Sequence, residues 1–334
     1  MRKWNFCAGP AVLAEDVLKE VKSEFLEFNN SGTSIMEMSH RSEIYTSVAI
    51  EAKKDLIEIL NIPKNYDVLF LQGGATHQFS MVPYNFGHNN KEADYVLSGS
   101  WSKKAISEAS KIIKVNTIAS SEGKNFTYAP DPNDWKVSEK SAYLHFCPNE
   151  TIQGVAIHEP PIIDKPLISD ASSVILSEPL DVSKFSLIYA GAQKNIGPSG
   201  LTIVIVREDL IGEVVKNQPK LFDYATQAND NSMFNTPSTF PWYVAGKVFE
   251  WLKEHGGLSA MQKINKIKAD TLYSVIDNSD FYSNPVSLRY RSWMNIPFLL
   301  ADENLNSMFL EKSKDADLLA LKGHRSVGGM RASI

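Results

Sequence analysis

The chain has 334 residues, 43% of them hydrophobic and 22% charged, proportions that fit a globular protein of about two domains with room for a substantial core. A formal net charge of -5 and the lack of any polybasic run exclude a dedicated nucleic-acid binder. Two distant cysteines, Cys7 and Cys147, form no CxxC pair, and no stretch has the length of a signal peptide's apolar core or a membrane span. A cytoplasmic protein without a disulfide framework, a zinc site or a membrane partner is therefore expected.

Residues 1–9 show no periodicity and read as an arm laid across the body. Pro10 suits the start of a helix in which Val12, Leu13, Val17, Val21, Phe25 and Phe28 recur at helical spacing, until Asn29, Asn30, Ser31 and Gly32 end it. A second amphipathic helix follows residues 33–43 and runs to Leu60, with Ile44, Val48, Leu56 and Ile59 expected inside. His40 and Arg41 stand at its entry, where backbone amides and a guanidinium can meet an anion. An arginine on a solvated turn is the other reading.

From Asp67 the pattern becomes strand, turn and helix, with strands expected at 67–71, 94–99, 111–115, 142–147, 167–170, 186–189 and 201–206. Short, mostly apolar strands separated by helical or looping segments imply a parallel-rich sheet covered on both faces. After the first strand comes Gln72-Gly73-Gly74-Ala75-Thr76-His77, which is either a tight turn or a place where amides approach a phosphate at a helix N-terminus. Trp101 opens a helix over 101–110, where its indole either stacks on a planar ring or packs in the core. Thr151 reads as an ordinary turn residue.

Between the apolar runs 186–189 and 201–206 lies a Gly-rich turn with one charge, Lys194. If the flanking strands pull that lysine inward, lost hydration makes its amine more nucleophilic, which suits Schiff-base formation with a carbonyl such as pyridoxal phosphate. A lysine snorkelling from a hairpin tip is the alternative. Asp170, at the end of a short apolar stretch just upstream, favours the first reading, because a carboxylate there can pair with a pyridinium nitrogen. Residues 217–239 lack either period and are too long to be an idle loop. Helices are expected at 240–255, closed by Gly256-Gly257, at 258–276 and at about 303–312, with a strand at 293–300. The seven histidines are scattered without an HExxH pair, and no GxSxG is present, so neither a metal site nor a hydrolase elbow is expected.

CPNETIQG at 147–154, SDASS at 169–173, AGAQKNIGPSG at 190–200, MFNTPSTF at 233–240 and KGHRSVGGMRAS at 322–333 stand together in order. With them the chain resembles, from Asn5 to its last residue, the phosphoserine aminotransferase family, pyridoxal-phosphate enzymes of fold type I in the class V group. The resemblance implies an α/β large domain at 11–257 with a mostly parallel central sheet, preceded by an arm at 1–10. A smaller α+β domain at 258–334 follows, and the family continues beyond that point into a final helix. Residues 1–334 are therefore expected to lack that cover, with Arg331 prone to fraying.

The same resemblance assigns Lys194 as Schiff-base lysine and general base, and Asp170 as partner of the ring nitrogen. It places Ala75 and Thr76 at the cofactor phosphate, with Thr76 standing where relatives often have an arginine. It also gives Trp101 to the ring face, Thr151 to the phenolic oxygen, and Gln193 to the cofactor pocket. Asn235 and Thr236 are expected to reach a neighbour's phosphate across a homodimer interface. Arg331 is expected at the substrate carboxylate, and His40, Arg41, His324 and Arg325 at the substrate phosphate or the glutamate side chain. The implied substrates are L-glutamate and 3-phosphohydroxypyruvate, in ping-pong order, with a phosphorylated hydroxythreonine fitting the same cations. Another chemistry on this fold, such as a desulfurase or lyase, and a non-catalytic dimeric homologue are the competing readings.

Overall fold

The computed structural model describes residues 2–87, 92–212 and 217–334. In chain order they form β1 (Trp4–Asn5), α1 (Glu15–Ser23), α2 (Glu43–Leu60), β2 (Tyr66–Leu71), α3 (Gly74–Phe86), β3 (Glu92–Leu97), α4 (Ser100–Ala109) and β4 (Lys114–Ser120). Then come β5 (Leu144–Phe146), β6 (Asn149–Glu150), β7 (Val155–Ala156), β8 (Leu167–Asp170), β9 (Leu187–Gly191), β10 (Thr202–Arg207), α5 (Tyr224–Asn229), α6 (Thr239–Glu254) and α7 (Gly257–Asp277). The chain ends with β11 (Tyr282–Ser283), β12 (Asn295–Leu300), α8 (Asn306–Asp315), β13 (Leu318–Leu319) and β14 (Met330–Ser333).

Seven strands form the central sheet in the order β2-β10-β9-β8-β5-β3-β4, and only β10 runs against the rest. Side-chain alternation along each strand divides the apolar residues between two cores. Val68, Phe70, Ile188, Ile203 and Ile205 join the core under α1, α2 and α6, while Leu69, Leu71, Leu187, Tyr189, Val204 and Val206 join the core with α3, α4 and Tyr224. Both faces are thus covered, and the continuous apolar runs follow from that. A separate antiparallel sheet, β11-β12-β14, packs on α7 and α8 through Ala269, Tyr273, Ile276, Ile296, Phe298 and Met330.

Several local expectations fail for identifiable reasons. Pro10 does not open a helix: Ala11 N–H donates to the Gln193 carbonyl at 2.8 Å, which holds this stretch against the Lys194 turn, and α1 begins only at Glu15. Val12 and Phe25 are accordingly exposed. Helix α2 turns Tyr45, Ala49, Ala52, Leu56 and Leu60 inward rather than Ile44, which is exposed, because the small residues Ala49 and Ala52 allow α6 to approach. The strand expected at 111–115 is displaced to β4, since Ile112 and Ile113 bond back to the Ala109 carbonyl at the end of α4. Within 217–239, Asp223 caps the short helix α5 by accepting from Ala225 and Thr226 amides, so that segment is not all loop. The arm is tied down as well: β1 pairs in parallel with β13.

Leu56 is fully buried in the core shared by α2 and α6. Leu56→Ala is expected to lower unfolding free energy by about 2–5 kcal/mol, the usual range for such a cavity. The check is a lower urea midpoint without a change of slope; an unchanged midpoint would show that α2 is not part of the cooperative core.

Candidate active site

Strand β9 ends at Gly191, and the chain then folds on itself before β10. Ala192 N–H donates to Leu201 O at 2.9 Å and Gly197 N–H to Ala192 O at 2.8 Å, closing the turn that presents Lys194. The lysine points inward, not to water as a hairpin tip would have it. Its Nζ donates to Thr151 Oγ1 at 2.5 Å and lies 5.6 Å from the centre of the Trp101 ring. Burial pushes the ammonium down to about 8, although the charges of Asp170 and Glu150 pull the other way.

Asp170 ends β8, opposite Tyr189 of β9, and is nearly fully buried. Burial raises its carboxyl, while hydrogen bonds from Ser172 and the Lys194 charge oppose the rise. Ser172 N–H and Oγ–H donate to Asp170 Oδ1 at 3.1 and 2.6 Å, and Gly191 N–H donates to Ser172 Oγ at 3.0 Å. The carboxylate is therefore fixed to the same strand that delivers Lys194. Gln193 accepts the Ala11 amide with its backbone carbonyl, and its side chain lies against Gly191.

Two helix starts border this group. Trp101 begins α4 and Ala75 lies in the first turn of α3; both pack on the same core. Gly73, at φ 91°, makes the sharp entry to α3 in the left-handed region that favours glycine. Thr76 is exposed beside it. Gln72 donates its side-chain amide to the Thr236 carbonyl, so residues 235–236 lie near this turn. Among the described residues no hydrogen bond joins Asn235 or Thr236 to Lys194.

The cations divide into two groups. Arg331 sits in β14, opposite Pro297 of β12, and donates from Nη1 to the Thr151 carbonyl at 3.4 Å. It is not frayed: its backbone N–H donates to Leu321 O at 2.8 Å. His324 lies close enough to Arg331, Arg325 and Lys104 that burial and these three charges all depress its pKa. Lys104 in turn stands 4.2 Å over the Trp101 ring. His40 and Arg41, just before α2, have no bond to this group among the described residues.

Sequence reasoning missed Glu150 and Lys104. Glu150 looked like one more turn residue beside Thr151, and its partners are 49 and 48 residues away in the chain. Lys104 had a readable signal, the i,i+3 spacing from Trp101 on a helix. Among the described residues no cluster of three metal-ligating side chains occurs, and no helix is long and apolar enough to cross a membrane. His88 lies outside the described residues.

The donor set can hold pyridoxal phosphate: a partly neutral amine for its aldehyde, a buried carboxylate for its ring nitrogen, an indole for its ring face and a helix N-terminus for its phosphate. The amine's state is directly testable. A lysine that loses its proton near pH 8 should react with a small amine-selective reagent along a pH curve centred there, in cofactor-free protein, well below the curve of a free lysine side chain in a short peptide. Peptide mass spectrometry reads both curves, and a Lys194 midpoint matching the free side chain's would mean that its amine is fully solvated.

A family model described as Aminotransferase class-V matches residues 3–334. The chain is 57% identical over 331 residues to a phosphoserine aminotransferase of Vesicomyosocius okutanii subsp. Calyptogena okutanii, covering 99% of this chain and 92% of that one. It is 53% identical over 334 residues to the one from Hahella chejuensis, covering 100% of this chain and 92% of the relative. The solved phosphoserine aminotransferase from Bacillus circulans subsp. alkalophilus superposes with a TM-score of 0.97 at 46% identity, over 100% of this chain and 93% of that one. A pyridoxal-phosphate-bound phosphoserine aminotransferase from Trichomonas vaginalis gives 0.96 at 40% identity, over 99% and 95%. The chain belongs to the class-V aminotransferases, among the phosphoserine aminotransferases of that family.

Proposed function

We propose that this chain uses pyridoxal 5'-phosphate to move the amino group of L-glutamate to 3-phosphohydroxypyruvate, giving 2-oxoglutarate and O-phospho-L-serine. The observation that carries the reading is the inward Lys194 beside the buried Asp170, in a chain that matches phosphoserine aminotransferases over nearly its whole length. When bound, the cofactor supplies a carbonyl carbon and a ring able to accept the electron pair of a breaking Cα–H bond. Lys194 would hold the cofactor through its amine and would take the proton from the substrate Cα. Asp170 keeps the ring nitrogen protonated, and Ser172 holds that carboxylate in place. Trp101 would cover one face of the cofactor ring and Thr151 would orient its phenolic oxygen. Gln193 shapes the pocket wall beside Lys194.

Substrate recognition then falls to cations. Arg331 takes the α-carboxylate, for which a guanidinium fork supplies two parallel donors. His324, Arg325, His40 and Arg41 take the phosphate or the glutamate side chain. Ala75 and Thr76 offer the first turn of α3 to the cofactor phosphate. Among the described residues no bond links His40, Arg41, Asn235 or Thr236 to Lys194, and in this reading each site borrows them from a second copy in a homodimer. The desulfurase alternative is not favoured: the matching relatives are phosphoserine aminotransferases, and Cys147 is buried with its thiol pushed well above the ordinary range.

Asp170→Asn is expected to retain the cofactor but lose most turnover, because an amide cannot hold the pyridinium charge. Lys194→Ala should lose transamination and leave the cofactor unlinked; a borohydride-reducible adduct on any other lysine would sink the assignment. For the shared site, mixing Lys194→Ala with an Asn235→Ala/Thr236→Ala variant should restore part of the activity as subunits exchange. No recovery, with exchange verified, would place each site within one chain.

A further inference from the structure

Glu150 is fully buried, yet none of the roles above uses it. Its carboxylate receives two consecutive backbone amides at the start of α4: Trp101 N–H donates to Oε2 at 2.8 Å and Ser102 N–H to Oε1 at 2.8 Å. The preceding amide, that of Ser100, donates to Gln153 Oε1 at 3.2 Å, and Gln153 Nε2 returns a bond to Ser100 Oγ at 2.6 Å. The cap of this helix therefore comes from residues 150–153 and not from the side chain of the residue that precedes it. That residue is Gly99, and a Cβ on it would lie 2.4 Å from the Glu150 carboxyl carbon. The glycine makes the room into which the carboxylate fits.

A cap of this kind stabilises any helix, but its neighbours give this one a second consequence. The first residue it holds is Trp101, whose ring faces the Lys194 amine at 5.6 Å. The residue following Glu150 is Thr151, which accepts the bond from that amine. Glu150 is thus one covalent step from the lysine's partner and one hydrogen bond from the backbone of the indole. We propose that Glu150 is a positioning residue that sets the gap between the Trp101 ring and the Lys194–Thr151 pair, and so the affinity of the site for a planar cofactor ring. The proposal rests on the cofactor reading given above.

The test titrates cofactor-free protein with pyridoxal phosphate, reading affinity by fluorescence and ring orientation by the circular dichroism of the bound chromophore. Glu150→Ala and Glu150→Gln are compared with Asp181→Ala. Asp181 also accepts backbone and hydroxyl bonds at a helix start, but it precedes β9 at the opposite end of the sheet. Glu150→Ala should weaken binding at least about tenfold, the scale on which a displaced site group is felt, and should shrink the dichroic band. Glu150→Gln, which keeps one acceptor oxygen, should fall between it and wild type, and Asp181→Ala should bind as wild type does. Unchanged affinity and band in Glu150→Ala, with only a lower melting temperature, would overturn the proposal. If that variant does not fold, Glu150→Gln decides on the same two readouts. A wild-type protein that fails to bind pyridoxal phosphate would overturn the cofactor reading and this proposal with it.

Discussion

An ammonium group turned away from water is the constraint around which the site is arranged. Removing such a charge from solvent is costly unless acceptors and opposite charges replace its hydration. Here Thr151 supplies the acceptor, and Asp170 and Glu150 supply buried negative charge. The replacement is incomplete, and the net effect is a Lys194 pKa held below the ordinary lysine range. The same deficit makes the amine nucleophilic near neutral pH, so its weak stabilisation and its chemistry share one cause. The sign for stability follows: between about pH 8 and 10.5 the unfolded chain binds more protons at this lysine than the fold does, so its contribution to stability rises with pH there.

Meeting that constraint requires residues distant in sequence to converge, and the parallel sheet provides the means. Asp170 ends β8, Lys194 follows β9, Trp101 follows β3 and Thr151 follows β5, all at the carboxyl end of parallel strands where α/β sheets open a crevice. Residues 149–154 then connect the sheet to α4 and to the strand β12 and its approach. Asn149 donates from Nδ2 to Ser173 Oγ and to Asn295 Oδ1, both at 2.8 Å, and Asn295 Nδ2 donates to Ser333 Oγ at 2.9 Å. Ser292 N–H donates to the Gly154 carbonyl at 2.9 Å. The strand carrying Arg331 is in this way held against the strand-end residues that carry Thr151. The arm closes the loop from the other side, since Ser333 N–H donates to Phe6 O at 3.2 Å while Ala11 reaches Gln193.

What the residues alone disclosed follows this division between local and distant causes. Strand positions were legible because full burial on both faces leaves uninterrupted apolar runs, and Lys194 stood out as the one charge between two of them. Asp170 was legible through its place at a strand end. Glu150 was not, because the amides it caps lie nearly fifty residues upstream and nothing in NETIQG marks a buried carboxylate. Pro10 misled because a proline suits either a helix start or an extended segment, and only the bond from Ala11 to Gln193 selects the second. Helix α2 misled in a similar way: Ile44 has the right spacing for an inner face, but close packing on α6 selects the alanines instead. Arg331 showed the converse error, since proximity to the last residue predicted fraying where pairing with β12 holds it.

His324 shows how packing of this kind can make charge depend on occupancy. His324 Nδ1 lies 2.7 Å from Ser326 Oγ and accepts from Ser326 N–H at 3.3 Å. Burial and the charges of Arg331, Arg325 and Lys104 lower its pKa, so the neutral ring is favoured while no anion is near. A phosphate or carboxylate held among these groups would oppose the charges of Arg331, Arg325 and Lys104 and so favour the imidazolium. In the proposed reading, the site then holds fixed cations on its arginines and one cation that forms with the substrate. A neutral imidazole adds no repulsion to the arginines before binding, and a charged one adds attraction after it. Taking up that proton costs free energy while the free ring's pKa is held down, so the added attraction is greatest at lower pH, where the ring protonates most readily.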